Sequence, residues 1–239
     1  MYLLSGVKIK TLFPKHTKPT LKNFILLMNC IIQCRTVCLY KCRDKVQQFK
    51  PGKDREIDSN YARLLRFFKM KNIAEFISGI RGMMLAVAEA DLTYLVVDRS
   101  NWKRGEKNTN LLTLGYLMSG ILAFVPLYWV QLDKRGNSNI DDRKNLIDGF
   151  IELLAKSAKT VKGSILLADR EFIGQYWFEY LLDKKISFVI RLREKMYFDL
   201  QTYTGKKNFI KDLSQIYRTL WHIQHPNEFG RYYLHVCND

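Results

Sequence analysis

Two stretches decide how this chain folds: Tyr94-Leu-Val-Val-Asp98-Arg99 and Ile165-Leu-Leu-Ala-Asp169-Arg170-Glu171. Each is an apolar run of strand length that stops on an aspartate followed at once by an arginine. Ligands and metal ions collect at the carboxyl ends of strands in α/β sheets, so a carboxylate there is placed for chemistry. If the two strands lie side by side, Asp98 and Asp169 meet although they are far apart in the chain. Paired carboxylates suit Mg²⁺ held against a phosphate backbone. An aspartate after a strand also serves as a turn former or a helix N-cap. The duplication favours chemistry, because a turn former has no need of a matching strand, acid and arginine.

Outward from these runs the pattern reads strand (92–98), strand (111–118), strand (121–132), helix (140–158), strand (164–169), helix (174–184), strand (186–192). Three successive strands followed by alternating helices and strands make a mixed α/β sheet. Before it the texture is helical. Leu21–Cys34 is apolar enough for a buried helix, and Thr36 can cap a second one over Val37–Gln48. Asp58 and Ser59 offer caps for Tyr61–Lys69, and Ile73–Ala90 carries apolar residues at helical spacing. Residues 1–20, basic and holding Pro14 and Pro19, read as a loose arm. The expected organisation is an all-helical domain over 1–90, a catalytic core over 91–195, and a segment over 196–239 whose weak periodicity assigns no element.

Asn108–Leu132 carries no charge, and Leu111–Val130 is long and apolar enough to pass as a membrane span. Ser119-Gly120 interrupts it as a turn and Pro126 would break a helix, so the expectation is two buried strands, Leu111–Met118 and Ile121–Leu132. A membrane-associated basic protein is the third-ranked alternative.

The 239 residues hold 39 Lys and Arg against 23 Asp and Glu, a net charge of +16. Such a surplus favours a polyanionic partner, most simply a nucleic-acid backbone. An AT-rich, Lys-biased genome or attraction to an anionic membrane would leave the same balance. The charge is spread out: Lys8, Lys10, Lys15, Lys18 and Lys22 precede any acid, and Lys103, Arg104, Lys134 and Arg135 lie near the proposed centre. Cys30, Cys34, Cys38 and Cys42 recur in steps of four. One continuous helix would spread their sulfurs over roughly 18 Å, too far for a single zinc ion, so they read as core residues. An unpaired Cys237 and no secretory leader fit a reducing cytoplasm. Of Trp102, Trp129, Trp177 and Trp221, the second and third lie in apolar patterns. Trp221, near His222 and His225, is the candidate for base stacking.

Three runs in register carry a resemblance: Val97-Asp-Arg-Ser-Asn-Trp-Lys103, Leu132-Asp-Lys-Arg-Gly-Asn-Ser-Asn139 and Leu167-Ala-Asp-Arg-Glu-Phe172. Together they resemble bacterial insertion-sequence transposases of the insertion-sequence-4 type, over roughly residues 20–195. The resemblance implies an RNase H-like core with an Asp, Asp, Glu triad. It places the first acid on Asp98, bridging two metal ions, and the second on Asp169. Mg²⁺, with Mn²⁺ as a substitute, is the implied cofactor, and double-stranded DNA at transposon ends the implied substrate, cut and joined by phosphoryl transfer. Arg99, Lys103, Arg104, Lys134, Arg135 and Arg170 are the expected phosphate contacts, and Asn137, Ser138 and Asn139 the caps of the next helix. The third acid belongs to a Tyr-x₂-Arg-x₃-Glu-x₆-Lys signature absent from Met196–Asp239, where neither Glu194 nor Glu228 has the required neighbours. The chain is therefore expected to be a C-terminally truncated transposase, cytoplasmic and nucleoid-associated in a bacterium, forming homodimers or mixed oligomers with an intact copy. A non-catalytic DNA-binding fragment of the same element is the alternative.

Overall fold

The computed structural model describes residues 9–49, 57–88, 92–118, 123–157, 159, 163–191, 221–224 and 233–236. The chain divides into two compact units, Met1–Val87 and Ala88–Asp239.

The first unit is helical: α1 (Ile9–Leu12), α2 (Lys18–Cys34), α3 (Leu39–Cys42), α4 (Val46–Phe49), α5 (Ile57–Phe68) and α6 (Ile73–Val87). Helix α2 starts three residues before its apolar stretch because Thr17 caps it, its side chain accepting from the Thr20 N–H, and Pro19 sits in the first turn. There proline's missing N–H costs nothing, so a residue expected to loosen the arm initiates the helix. Asp58 and Ser59 lie inside the first turn of α5 and do not cap it. The core is aromatic: Phe13 and Phe76 have ring centroids 4.8 Å apart, and Phe24 and Phe67 stack at 5.9 Å. A Cβ on Gly79 would lie 2.8 Å from the Leu12 carbonyl and inside the Phe13 ring, so α6 approaches α1 through a missing side chain.

The cysteines do not share one helix. Arg35 ends α2 in the left-handed region (φ 50°), and the helical segments on either side meet at 95°. Cys42 therefore folds back, and both Cys30 and Cys42 are fully buried. Burial pushes both thiols up to about 11, helped by Cys34, whose side chain hydrogen-bonds that of Cys42 and whose charge acts on Cys30. Cys34 is half-buried and Cys38 exposed. The core reading holds for two of the four, and a turn, not a long helix, arranges them. Cys237 lies outside the described residues. No single described helix is long and apolar enough to cross a membrane; the bent pair Lys18–Cys34 with Leu39–Phe49 passes by length and composition only.

The second unit is a mixed sheet with strand order β3-β2-β1-β4-β5-β7-β6. The strands are β1 (Tyr94–Arg104), β2 (Lys107–Met118), β3 (Ala123–Gln131), β4 (Ile165–Ala168), β5 (Ser187–Arg191), β6 (Trp221–Gln224) and β7 (Tyr233–Val236), with helices α7 (Ile140–Ala155) and α8 (Gln175–Asp183). β1, β2 and β3 form an antiparallel meander, whereas β1, β4 and β5 run parallel. The first five strands and their two crossover helices make an RNase H-like core. The apolar run 111–132 is thus two strands. Pro126 is tolerated because β3 is an edge strand, and it lies opposite Gly115 where the register shifts.

Strand alternation divides the sheet into two faces. Leu95, Val97, Leu112, Leu114, Tyr116, Leu166, Phe188 and Ile190 are buried on one face with Leu146, Ile147 and Phe150 of α7 and Trp177, Phe178 and Leu181 of α8. Each such side chain contributes about 1.5–3 kcal/mol. Contacts bind the layers: Phe178 stacks on Phe188 at 5.2 Å, Tyr180 of α8 donates to Asp148 of α7 at 2.8 Å, and Gly149 of α7 gives room to the Tyr128 ring. On the other face Tyr94 and Phe124 remain 46% and 42% exposed.

Candidate active site

Pairing of β1 with β4 runs in parallel register, Val96 opposite Leu167 and Val97 opposite Ala168. The next residue on each strand is an aspartate. Neighbouring strands lie about 4.8 Å apart, so Asp98 and Asp169 stand side by side at the carboxyl edge. Both belong to the less covered face and are exposed. They share a cavity of about 730 Å³ floored by Val96, Leu117, Phe124, Leu167 and Val189, with Arg191 at its rim.

Asp169 precedes a 3-10 turn, Arg170–Phe172, yet makes no side-chain capping bond there. Its carboxylate faces Arg191 instead, at 3.5 Å. Asp98 accepts the N–H of Arg99 at 2.7 Å. Arg191 escaped the sequence reading, although it ends the parallel strand next to β4, and alternation from Val189 points it to the same face. Two hard carboxylates with open access fit a Mg²⁺-like ion, which needs few protein ligands and keeps waters. Among the described residues no cluster of three or more His, Cys, Asp or Glu is poised to hold a metal. The segment expected to lack the third acid, 196–239, is described only at 221–224 and 233–236.

Behind the carboxylates, on the helix-packed face, a polar clamp ties β1 beside Asp98 to the loop that carries Asp169. The Arg99 Nε lies 2.8 and 3.1 Å from the two Glu171 carboxylate oxygens, and its other nitrogens donate to Asn110 at 3.3 Å and Asn137 at 3.2 Å. Asn110, fully buried, donates to the carbonyls of Lys134 and Gly136, both at 3.0 Å. Arg143 is buried on α7 and donates to the Ser138 hydroxyl and carbonyl, both at 3.0 Å, and to the Glu171 carbonyl at 2.8 Å. Burial lowers its pKa, and the charges of Glu171 and Asp142 oppose that shift. Asn139 begins α7 with a capping box, accepting the Asp142 N–H at 2.8 Å while Asp142 accepts its own N–H at 2.8 Å.

The expected phosphate contacts therefore separate. Arg99 is committed to Glu171 and only 13% exposed. Lys134 is paired with Asp142, and Arg135 donates to Asn108 at 3.1 Å. Lys103 and Arg170 are exposed, and Arg104 ends β1. Arg143 and Asn110 were not anticipated, but each left a signal. Arg143 shares an apolar helical stripe with Leu146, Ile147 and Phe150. Asn110 continues the buried alternation of Leu112, Leu114 and Tyr116. Trp177 is buried as expected, and the side chains of Trp221 and His222 lie outside the described residues, as does His225.

No curated protein sequence shows a significant match to the chain. Among solved structures, endonuclease V from Bacillus subtilis is similar over 72% of this chain and 78% of its own, at 10% identity and a TM-score of 0.30, too weak a likeness to add to the fold. The transposase DDE domain family matches residues 95–233, a span that holds the paired aspartates, the clamp and the strands around them. With more than half its length matched, the chain belongs to the transposase DDE domain family.

Proposed function

We propose that this chain cuts and joins DNA by metal-dependent phosphoryl transfer at the Asp98–Asp169 edge. The observation that carries the reading is the parallel register of β1 and β4, whose last pair, Val97 opposite Ala168, is followed on each side by a carboxylate at one open edge. Asp98 and Asp169 would hold Mg²⁺, or Mn²⁺ in its place. Bound there, the ion would supply an activated water or DNA hydroxyl and neutralise charge on the phosphate.

The chain's own groups do the positioning. Arg191 steadies Asp169 and leaves a guanidinium at the rim to meet a scissile phosphate. Arg170, Lys103, Arg104, Lys134 and Arg135 track the backbone without reading sequence. The Arg99–Glu171 and Arg143 clamp keeps Asp169 and the 132–139 loop in place, since a metal site tolerates little misplacement of its ligands. The substrate is double-stranded DNA at the ends of a mobile element of the insertion-sequence-4 type. The setting is the cytoplasm of a bacterium, at its nucleoid, with the chain as a homodimer or in a mixed oligomer with another transposase.

Nicking of supercoiled plasmid is the test. We expect weak Mn²⁺-dependent nicking that Asp98→Ala abolishes. Nicking by Asp98→Ala or Asp169→Ala at the rate of the parent chain would overturn the assignment. Strand transfer as robust as that of a complete enzyme would show that a third acid is present. The net charge of +16 supports a second reading, a regulatory DNA binder that occupies transposon ends. Nicking absent from the parent chain, with DNA affinity intact in the doubly substituted Asp98→Asn, Asp169→Asn chain, would favour it.

A further inference from the structure

β1 and β2 continue well past the aspartates. Their pairing is unbroken from Leu95 opposite Tyr116 to Arg104 opposite Lys107. β4 stops pairing with β1 at Val97, and β3 starts pairing with β2 at Leu111. Residues 101–110 thus form a two-stranded arm with no further strand on either side among the described residues. Gly105 closes it at φ +59°, at the first of two turn residues, where tight hairpins favour glycine.

The arm carries a large apolar side chain where nothing demands one. Trp102 is 48% exposed, amid exposed Asn101, Lys103, Lys107 and Asn108. Alternation puts it on the same face as Asp98, with Thr109 opposite. Three cations and one acid stand at or beside the turn, and Arg135 adds a guanidinium through its bond to Asn108 at 3.1 Å. Four strand residues from Asp98 to Trp102 span about 13 Å. That is close to four stacked nucleotides at about 3.4 Å each.

We propose that this arm is a nucleic-acid contact in which Trp102 stacks on an unpaired base about four nucleotides from the phosphate held at Asp98 and Asp169, while Lys103 and Lys107 hold the flanking backbone. The proposal rests on the DNA-processing reading and adds to it a local opening of the duplex beside the cut. Stacking on tryptophan tolerates any base, and an exposed indole on a thin, basic arm is a platform of that kind.

The test is fluorescence anisotropy with the full chain, using a plain duplex and the same duplex bearing an oligothymidine tail. Trp102→Ala should lose about 5- to 150-fold in affinity for the tailed duplex. The plain duplex should lose less, and Trp102→Phe should recover most of the loss. Lys103→Ala with Lys107→Ala should lower the salt slope by about two counterions on both probes. Matched thermal unfolding of each variant shows that the sheet is intact, as expected for exposed positions. Equal affinity of Trp102→Ala and the parent chain for the tailed duplex overturns the arm and leaves the DNA-processing reading standing. No binding of either probe by the parent chain overturns both. Loss of self-association with DNA affinity unchanged assigns Trp102 to a protein contact, which also overturns the proposal.

Discussion

Removing Glu171 from beneath Arg99 tests whether the clamp behind the carboxylates is an internal pair or a surface one. Arg99 and Glu171 are 13% and 20% exposed, with two contacts at 2.8 and 3.1 Å. Exposed pairs are worth up to about 1 kcal/mol, whereas breaking a buried pair from one side costs about 3–5 kcal/mol. Glu171→Gln preserves shape and some hydrogen bonding, and Arg99 keeps Asn110 and Asn137, so the cost should be about 2–3 kcal/mol. At about 2–4 °C per kcal/mol for a unit of this size, the melting temperature should fall by about 5–10 °C. Arg99→Leu should cost a similar amount. The double variant should cost clearly less than the sum, with a coupling of about 1–2 kcal/mol in denaturant unfolding. High salt should hardly reduce the coupling, because screening acts weakly on enclosed charges. A coupling below about 0.5 kcal/mol, or one abolished by salt, would refute the clamp as a source of rigidity.

The buried thiols give a pH prediction. Cys30 and Cys42 are pushed up to about 11 in the fold, so the unfolded chain releases their protons first as pH rises. Stability they provide is complete below about pH 9 and lost towards pH 11; the thermal midpoint of the helical unit should fall across that window, less so in Cys30→Ala with Cys42→Ala. Asn139→Ala removes the side-chain half of the capping box, the bond from the Asp142 N–H, and should cost about 1 kcal/mol in denaturant unfolding. A side chain on Gly115 would meet the Val125 carbonyl at 2.5 Å, so Gly115→Ala should cost about 1–3 kcal/mol, and Phe124→Ala should not restore it because the carbonyl remains.

Much of the sheet was legible because its interior strands are continuous apolar runs with abrupt polar ends. Ile165–Ala168 and Ser187–Arg191 fall within a residue or two of their expected bounds. The extension of β1 to Arg104 was not legible, since Ser100–Arg104 has no apolar partner face and reads as loop. Trp221 drew the stacking reading for a related reason. Its neighbours are polar in sequence, whereas Trp102 became recognisable only once pairing with β2 lifted it clear of the sheet. The paired aspartates were legible because burial leaves so few places for an acid beside an apolar run. The clamp was not, because Arg99, Asn110, Asn137, Ser138, Arg143 and Glu171 come from four separate segments. Their meeting depends on side-chain reach that periodicity does not encode.

The parallel register of β1 and β4 also sets a timetable. Asp98 and Asp169 are separated by roughly 70 residues of chain, so at typical synthesis rates the second follows the first from the ribosome after about 4–14 s. β1 can pair with β2 within that interval, but its other edge stays unpaired until a meander, a helix and a fourth strand have emerged. Non-local parallel pairing is also slow to form once the chain is free. The aspartate pair is therefore assembled late, with only α8 and β5 of the core still to follow, and nascent chains interrupted before Asp169 carry a fully made arm with no partner for Asp98.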